Sequence, residues 1–159
     1  MIEKITYIIE EKDKEINMIK AGIIGSTGYA GQELVRILTQ HKDAEVVWYG
    51  SRSYIDQKYY EVFRNMFQIV DDKCLDDNMD ELASKVDVIF TATPQGLCSS
   101  LVSEEILSKV KIIDLSADFR IKDVNRYEEW YGIKHQSPEF IDEAVYGPVS
   151  YTHLRAHET

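Results

Sequence analysis

From residue 18 onward, hydrophobic positions alternate between short continuous runs and longer stretches in which apolar residues recur every three or four positions. Continuous apolar runs are typical of strands buried on both faces of a parallel sheet. Four such runs predict strands at 19–24, 44–50, 86–92 and 111–115. The intervening stretches predict helices at 29–41, 58–66, 79–85 and 97–109, with one weak strand elsewhere in 51–75. This alternation indicates a doubly wound α/β fold with right-handed crossovers.

Three glycines follow the first predicted strand where the first helix begins: Gly25, Gly28 and Gly31. Because glycine lacks a Cβ atom, Gly25 can turn tightly, Gly28 can admit a pyrophosphate, and Gly31 can let the helix approach the sheet. The N–H groups of the first helical turn would face that anion, together with the positive end of the helix dipole. The alternative is that the glycines serve only a tight turn. The pattern predicts a Rossmann-type dinucleotide cradle made of Gly25, Ser26, Thr27, Gly28, Tyr29, Ala30 and Gly31.

The residues after the second predicted strand indicate which dinucleotide binds. An acidic residue there would accept a hydrogen bond from the ribose 2′-hydroxyl of NAD, but this chain has Ser51, Arg52 and Ser53. A guanidinium makes charge-assisted, bidentate bonds to phosphate oxygens, and the two hydroxyls add donors. The alternative is that Arg52 is a solvated surface arginine. We therefore expect NADP (NADPH) as the cofactor, with its 2′-phosphate on these residues.

Polar and backbone-shaping residues also follow the later strands. Pro94 and Gly96 come after the 86–92 strand and are typical of a loop over a cofactor, although they could simply end the strand. After the 111–115 strand, Ser116 is a further candidate for the cofactor site and Arg120 a candidate clamp for an anionic substrate. The alternative is that Asp118 and Arg120 pair and brace the loop. Residues 116–147 otherwise predict loops with short helices.

Composition excludes several classes of function. A formal net charge of −10 over 159 residues leaves no basic stripe for nucleic acid. No apolar run approaches the roughly 20 residues of a membrane span, so we expect a soluble, cytoplasmic protein. Cys74 and Cys98 have neither the count nor the spacing of a disulfide framework or a zinc site. Cys98 has no neighbouring base, and we expect it to be buried rather than nucleophilic.

The two ends of the chain differ in character from its middle. Residues 1–17 are predicted to be an extension, because Met18 reads directly into the first strand and could be the natural start. Residues 148–159 resemble the translation of a sequencing-library adapter in one reading frame. The alternative is a natural tail with His153 and His157 spaced as helical metal ligands, but no third ligand supports a metal site. The predicted NADP-binding domain is therefore 18–147.

Several motifs together resemble the N-acetyl-gamma-glutamyl-phosphate reductase family and, more distantly, aspartate-semialdehyde dehydrogenase. The glycine segment matches the family's opening and 51–53 its 2′-phosphate loop, while Gln95 stands where the family usually has histidine. The more specific matches come later and in the family's order: Asp114-Leu-Ser-Ala-Asp-Phe-Arg120, Tyr127-Glu-Glu-Trp-Tyr-Gly132, His135 and Ala144-Val-Tyr-Gly147.

The resemblance implies NADPH-dependent reduction of a small-molecule acyl phosphate by a homo-oligomeric enzyme of arginine biosynthesis. A cysteine thiolate displaces phosphate, the thioester accepts hydride, and a histidine acts as acid and base. The family's cysteine lies in an Asn-Pro-Gly-Cys motif that this chain lacks, and its histidine belongs to a later domain, so His135 is not given that role. We therefore expect a cofactor domain that lacks catalytic residues and most of the substrate domain.

Two other hypotheses remain open at this stage. The chain could be a free-standing NADP-binding module that naturally has no catalytic domain. It could also belong to a related reductase, acting on N-acetyl-aminoadipyl phosphate or aspartyl phosphate. Residues of a substrate domain would separate these possibilities.

Overall fold

The computed structural model describes residues 18–147, and its five strands form one parallel sheet with the order β3-β2-β1-β4-β5. The strands are β1 (Ile19–Ile24), β2 (Ala44–Gly50), β3 (Cys74–Leu75), β4 (Val88–Thr91) and β5 (Lys111–Asp114). Strands β2 and β3 lie on one side of β1, and strands β4 and β5 lie on its other side. The order therefore reverses beside β1, which makes a crevice between the ends of β1 and β4 where ligands of such sheets bind. The predicted doubly wound fold is confirmed.

Helices cover both faces of the sheet. They are α1 (Tyr29–Leu38), α2 (Tyr59–Val62), α3 (Met79–Ala83), α4 (Leu97–Leu101), α5 (Glu104–Lys109) and α6 (Val124–Tyr131), with 3₁₀ turns at Arg64–Met66 and Pro138–Phe140. Because strand side chains alternate, Ile23 joins a buried cluster with α1 and α2, while Ile24 joins the opposite cluster with α3 and α5. This two-sided burial explains why β1 and β4 read as continuous apolar runs.

The prediction of one helix at 97–109 is wrong, because the helix is interrupted between α4 and α5. Val102 is extended (φ −79°, ψ 137°), and the side chain of Ser103 accepts a hydrogen bond from the Ile106 N–H at 3.3 Å. Serine at this position caps a new helix, whose first turn carries two glutamates that favour the dipole. Helix α1 also ends at Leu38 and not at 41 as predicted. The hydroxyl of the next residue, Thr39, donates a hydrogen bond to the Val35 carbonyl at 2.9 Å.

Local capping at α3 agrees with the sequence pattern. Asn78 Oδ1 accepts a hydrogen bond from the Glu81 N–H at 3.2 Å, which is one of the two bonds of a capping box. The Glu81 carboxylate does not complete the box, because it pairs with Lys85 one turn later at 2.6 Å. The cap therefore forms with one of its two expected bonds.

Two parts of the chain lie outside the described residues: the 1–17 extension and the 148–159 tail with its two histidines. Within 18–147, no helix combines the length and the apolar character needed to cross a membrane. The same residues contain no group of three or more histidine, cysteine, aspartate or glutamate side chains arranged to hold a metal ion.

Candidate functional site

The glycine turn joins β1 to α1 and needs glycine at two of its three positions. Gly25 has a φ of +79°, and a Cβ atom there would overlap the carbonyl oxygen of Ala92. A Cβ at Gly31 would overlap the Gly25 carbonyl and lie 2.7 Å from Ser26 Cα. At Gly28 the nearest atom would be 3.4 Å away, an ordinary contact, so a Cβ atom would fit there. Two glycines thus shape the turn, and the third leaves space at its mouth.

The first turn of α1 presents unpaired backbone donors at this mouth. The first intrahelical bond runs from the Gln32 N–H to the Gly28 carbonyl at 2.8 Å, which leaves the N–H groups of residues 29–31 without helical acceptors. Among residues 18–147, no side chain caps α1 and no acidic residue occupies its first turn. Tyr29 is 99% exposed beside this open end. The arrangement can accept an anion.

Ser26 holds the turn in place instead of facing the crevice. Its N–H and its hydroxyl both donate to the Gly50 carbonyl, at 2.9 and 3.0 Å. Its own carbonyl accepts a hydrogen bond from the hydroxyl of the fully buried Tyr59 at 2.9 Å. Sequence reasoning did not identify Tyr59, because a buried tyrosine in a short helix carries no motif that names its distant partner.

The end of β2 places the predicted 2′-phosphate residues next to the glycine turn. The hydroxyls of Thr27 and Ser51 lie 2.8 Å apart, which ties the two loops together. Arg52 donates through Nε to a carboxylate oxygen of Asp77 and remains 62% exposed. Ser53 is also exposed. Asp77 therefore holds the Nε side of the guanidinium, while the rest of the side chain faces solvent. This is the position expected of a residue that binds the ribose 2′-phosphate.

Asp77 is a residue that the sequence did not single out for this site. It lies directly beyond β3, whose pairing with β2 brings Leu75 beside Gly50. Its side chain is only 10% exposed, and its second carboxylate oxygen has no hydrogen-bond partner among the described residues. The strand register was needed to place this aspartate against Arg52.

The loop after β4, residues 94–96, borders the same crevice. The Ala92 N–H donates to the Ile24 carbonyl at 2.9 Å, so β4 and β1 remain adjacent up to this loop. Pro94 is exposed, and Gly96 has a φ of +87° that favours glycine. The buried Thr93 hydroxyl has no partner within 18–147. A buried polar atom without a partner among these residues therefore lies next to this loop.

Asp118 connects this loop to the segment that follows β5. Its fully buried carboxylate accepts hydrogen bonds from the Gly96 N–H at 2.7 Å, the Ser99 N–H at 2.9 Å and the Tyr127 hydroxyl at 2.7 Å. Its backbone carbonyl lies 2.8 Å from His135 Nε2. The alternative in which Asp118 pairs with Arg120 is wrong. Asp118 instead braces the loop by accepting hydrogen bonds from Gly96, Ser99 and Tyr127.

Ser116 is engaged in a local network at the end of β5. Its hydroxyl donates to one carboxylate oxygen of Asp114 at 2.7 Å, and Thr91 Oγ1 donates to the other at 2.7 Å. Ser116 Oγ also accepts the Asp118 N–H at 3.2 Å. The predicted cofactor residue therefore stands at the correct edge of the sheet, with its hydroxyl already bonded within the protein.

Arg120 is exposed at the same edge. Its guanidinium carbon lies 5.6 Å from the centre of the Tyr146 ring, which is cation–π geometry. A cation held in this way can bind an anion on its open face. Arg120 stays a predicted substrate residue.

The remaining nucleophile and base candidates are structural. Burial and the nearby Asp114 carboxylate raise the pKa of the Cys98 thiol far above its usual range, and the side chain is 0% exposed. His135 is buried: its Nδ1 accepts the Ser137 N–H at 3.3 Å, which makes Nε2 the protonated nitrogen that donates to the Asp118 carbonyl. Neither group can act on a substrate in this conformation, as the sequence led us to expect.

A dinucleotide fits the residues that the fold brings together. The glycine turn, the 51–53 loop and the 94–96 loop all follow the carboxyl ends of neighbouring parallel strands. The open position at Gly28 and the free donors of α1 suit a pyrophosphate, and Arg52 suits a further phosphate.

Comparison with known sequences identifies close relatives. The chain is 76% identical to the N-acetyl-gamma-glutamyl-phosphate reductase of Lachnoclostridium phytofermentans over 130 residues, which are 82% of this chain and 38% of that protein. It is 74% identical to the enzyme of the same name from Lachnospira eligens, again over 82% of this chain and 37% of the relative. The chain thus spans less than two fifths of the length of these relatives.

A solved structure and a sequence family give the same fold. The crystal structure of aspartate semialdehyde dehydrogenase with NADP from Candida albicans has a TM-score of 0.51 at 18% identity, covering 67% of this chain and 32% of that one. At this identity the likeness concerns the fold alone. The family described as "Semialdehyde dehydrogenase, NAD binding domain" matches residues 20–151, most of the chain. The chain therefore belongs to the NAD-binding domain family of the semialdehyde dehydrogenases.

Proposed function

We propose that this chain is the NADP-binding part of an N-acetyl-gamma-glutamyl-phosphate reductase, an enzyme that converts N-acetyl-glutamyl phosphate to the semialdehyde and releases phosphate. The observation that carries the proposal is the 76% identity to the Lachnoclostridium enzyme over 130 residues. The motifs at 114–120 and 127–132 support it, because a dinucleotide-binding fold alone does not require them.

In this proposal the chain's own residues bind and orient the dinucleotide. The donors at residues 29–31 bind the pyrophosphate, and Gly28 lets it approach. Arg52, held by Asp77, binds the 2′-phosphate and so selects NADPH over NADH. The cofactor, when bound, supplies the hydride for reduction of the acyl group. Arg120 binds an anionic group of the substrate.

The catalytic cysteine and histidine belong, in this proposal, to the remainder of a longer enzyme. The relatives' greater length and the burial of Cys98 support this division. Residues 18–147 then form the cofactor domain, flanked by an extension at 1–17 and an adapter-like segment at 148–159. We expect the chain alone to bind cofactor without turnover.

The complete enzyme is further proposed to be a cytoplasmic homo-oligomer. Large apolar side chains such as Trp130 (77% exposed) and Val145 (88% exposed) are available for contact with the rest of the enzyme or with other subunits. The two buried free cysteines suit a reducing compartment.

The test is cofactor selectivity in an Arg52→Ala variant. NADPH affinity should fall about 10- to 100-fold, because charge-assisted bonds to the phosphate are lost, while NADH affinity should change by less than about threefold. Titration of NADPH and NADH fluorescence measures both. Arg36→Ala is the matched control, since Arg36 is also an exposed, ion-paired arginine but lies on α1. Equal losses for both cofactors would contradict the proposed role of Arg52.

A further inference from the structure

We propose that Asp118 positions the 94–96 loop for the nicotinamide half of the dinucleotide, a role that rests on the proposed function above. Its two carboxylate oxygens hold two different backbone N–H groups, those of Gly96 and Ser99, at 2.7 and 2.9 Å. These bonds come from a residue about twenty positions later in the chain. The carboxylate therefore fixes where the loop ends and where α4 begins.

Among the described residues, the buried side chain of Asp118 is satisfied by hydrogen bonds and not by a cation. Its side chain is 0% exposed, and within 18–147 no lysine or arginine pairs with it. A buried carboxylate without a cation is stabilised only if several donors satisfy it. Here two backbone N–H groups and the Tyr127 hydroxyl do so. Removal of the carboxylate would leave the N–H groups of Gly96 in the loop and Ser99 in α4 without their acceptors.

The position of the loop follows from the topology of the sheet. Arg52 lies beyond β2 on one side of β1, whereas the loop lies beyond β4 on the other side. A dinucleotide with its pyrophosphate at the glycine turn and its 2′-phosphate at Arg52 must extend its other half toward β4. A Cβ atom at Gly25 would overlap Ala92 O, so the loop begins within contact distance of the turn.

Two further groups fix Asp118 itself. The Tyr127 ring packs edge-on against His135 at 4.9 Å between centroids, and His135 Nε2 holds the Asp118 carbonyl at 2.8 Å. These contacts link the loop to α6. The geometry of the nicotinamide side is thus set by a network of side chains, with Asp118 at its centre.

The experiment compares two ligands in an Asp118→Asn variant of this chain. Asparagine has one acceptor oxygen, so one of the two N–H groups faces an amide NH₂ instead of an acceptor. NADPH, which reaches the loop, should bind about tenfold more weakly. Adenosine 2′,5′-bisphosphate, which lacks the nicotinamide half, should bind within about twofold of the unchanged chain. Calorimetric titration measures both affinities.

The control is Ile106→Val, which removes a methyl group from the buried cluster under α3 and α5 without touching the loop. It should lower stability and leave both affinities unchanged. Equal weakening of the two ligands by Asp118→Asn would show a general structural role and overturn the proposal, as would no change in either. If the unchanged chain binds neither ligand, the proposed function itself fails and the role of Asp118 fails with it.

A second measurement covers the case in which Asp118→Asn does not fold. In ¹⁵N–¹H spectra of the unchanged chain, NADPH should shift the amides of Gly96 and Ser99 together with those of residues 29–31. The bisphosphate should shift only the latter group. Amides at 96 and 99 that do not respond to NADPH, while the glycine turn does, would overturn the proposal.

Discussion

The two sides of the crevice are built in different ways. On the β1–β2 side, the backbone itself forms the site, because Gly25 and Gly31 leave no room for a side chain and α1 offers its free N–H groups. On the β4–β5 side, the buried Asp118 carboxylate holds the backbone from a distance. The first side depends on local conformation and the second on a long-range network. This difference determines which substitutions each side can tolerate.

Alanine at two glycines of the turn, Gly31 and Gly28, should produce the largest contrast. Gly31→Ala should lower the free energy of unfolding by about 3 kcal/mol or more, because the new methyl overlaps backbone atoms that cannot move away easily. Gly28→Ala should cost about 1 kcal/mol or less, because its methyl makes ordinary contacts. Chemical denaturation measures both values.

The Gly31→Ala and Gly28→Ala variants also distinguish an effect on stability from an effect on NADPH affinity. Gly28→Ala should weaken NADPH binding at least about tenfold while the chain stays folded, since the methyl occupies the approach of the pyrophosphate. A Gly28→Ala variant that binds NADPH normally would mean that all three glycines serve only the turn.

Two buried tyrosines, one on each side of the crevice, allow the two sides to be compared by removal of one hydroxyl from each. Tyr127→Phe removes a donor from the Asp118 carboxylate and should cost about 1.5–3 kcal/mol of stability, as for a bond to a buried charge. Tyr59→Phe removes a donor from the Ser26 carbonyl and should cost about 0.5–1.5 kcal/mol. Urea denaturation checks the order. A larger loss at Tyr59 would mean that the turn, not the network, depends more on side-chain support.

Alkaline pH should weaken the fold through Cys98. Because burial and Asp114 raise the pKa of this thiol in the folded state, the unfolded chain loses its proton first, above a pKa of about 8.5. Stability is therefore unaffected below that pH and falls as the pH rises, by about 1 kcal/mol near pH 9.5. Denaturation at pH 7.5 and 9.5 measures the change, and Cys98→Ala should reduce it.

Buried tyrosines extend the same trend at higher pH. Burial raises the pKa values of Tyr49 and Tyr59 in the folded state, so ionisation of the unfolded chain above about pH 10 adds to the loss. Stability that increases from pH 8 to 9.5 would contradict this account of the thiol.

The smallest effect is expected at Arg120. Its exposed contact with the Tyr146 ring contributes about 0.5–1 kcal/mol at most. Arg120→Ala should leave NADPH affinity within about twofold, in contrast with Arg52→Ala, because it is proposed to bind substrate. A large loss of NADPH affinity would place Arg120 in the cofactor site.

The sequence predicted the β1–β2 side better than the β4–β5 side for a physical reason. Strands buried on both faces and a glycine-rich turn are local patterns, so their positions could be inferred from neighbouring residues. Asp77 and Asp118 have their roles only through strand register and a distant loop, so their partners could not be inferred. The interruption between α4 and α5 was not predicted, because the apolar residues keep helical spacing on both sides of it and only the cap at Ser103 separates the two helices.

The most direct test of the central claim is a crystal structure of this chain with NADP⁺. We expect the pyrophosphate on the N–H groups of residues 29–31, the 2′-phosphate within hydrogen-bond distance of Arg52, and the nicotinamide beside the 94–96 loop. A structure in which Arg52 contacts only Asp77 while the 2′-phosphate lies in solvent, or in which the nicotinamide lies away from β4, would contradict it.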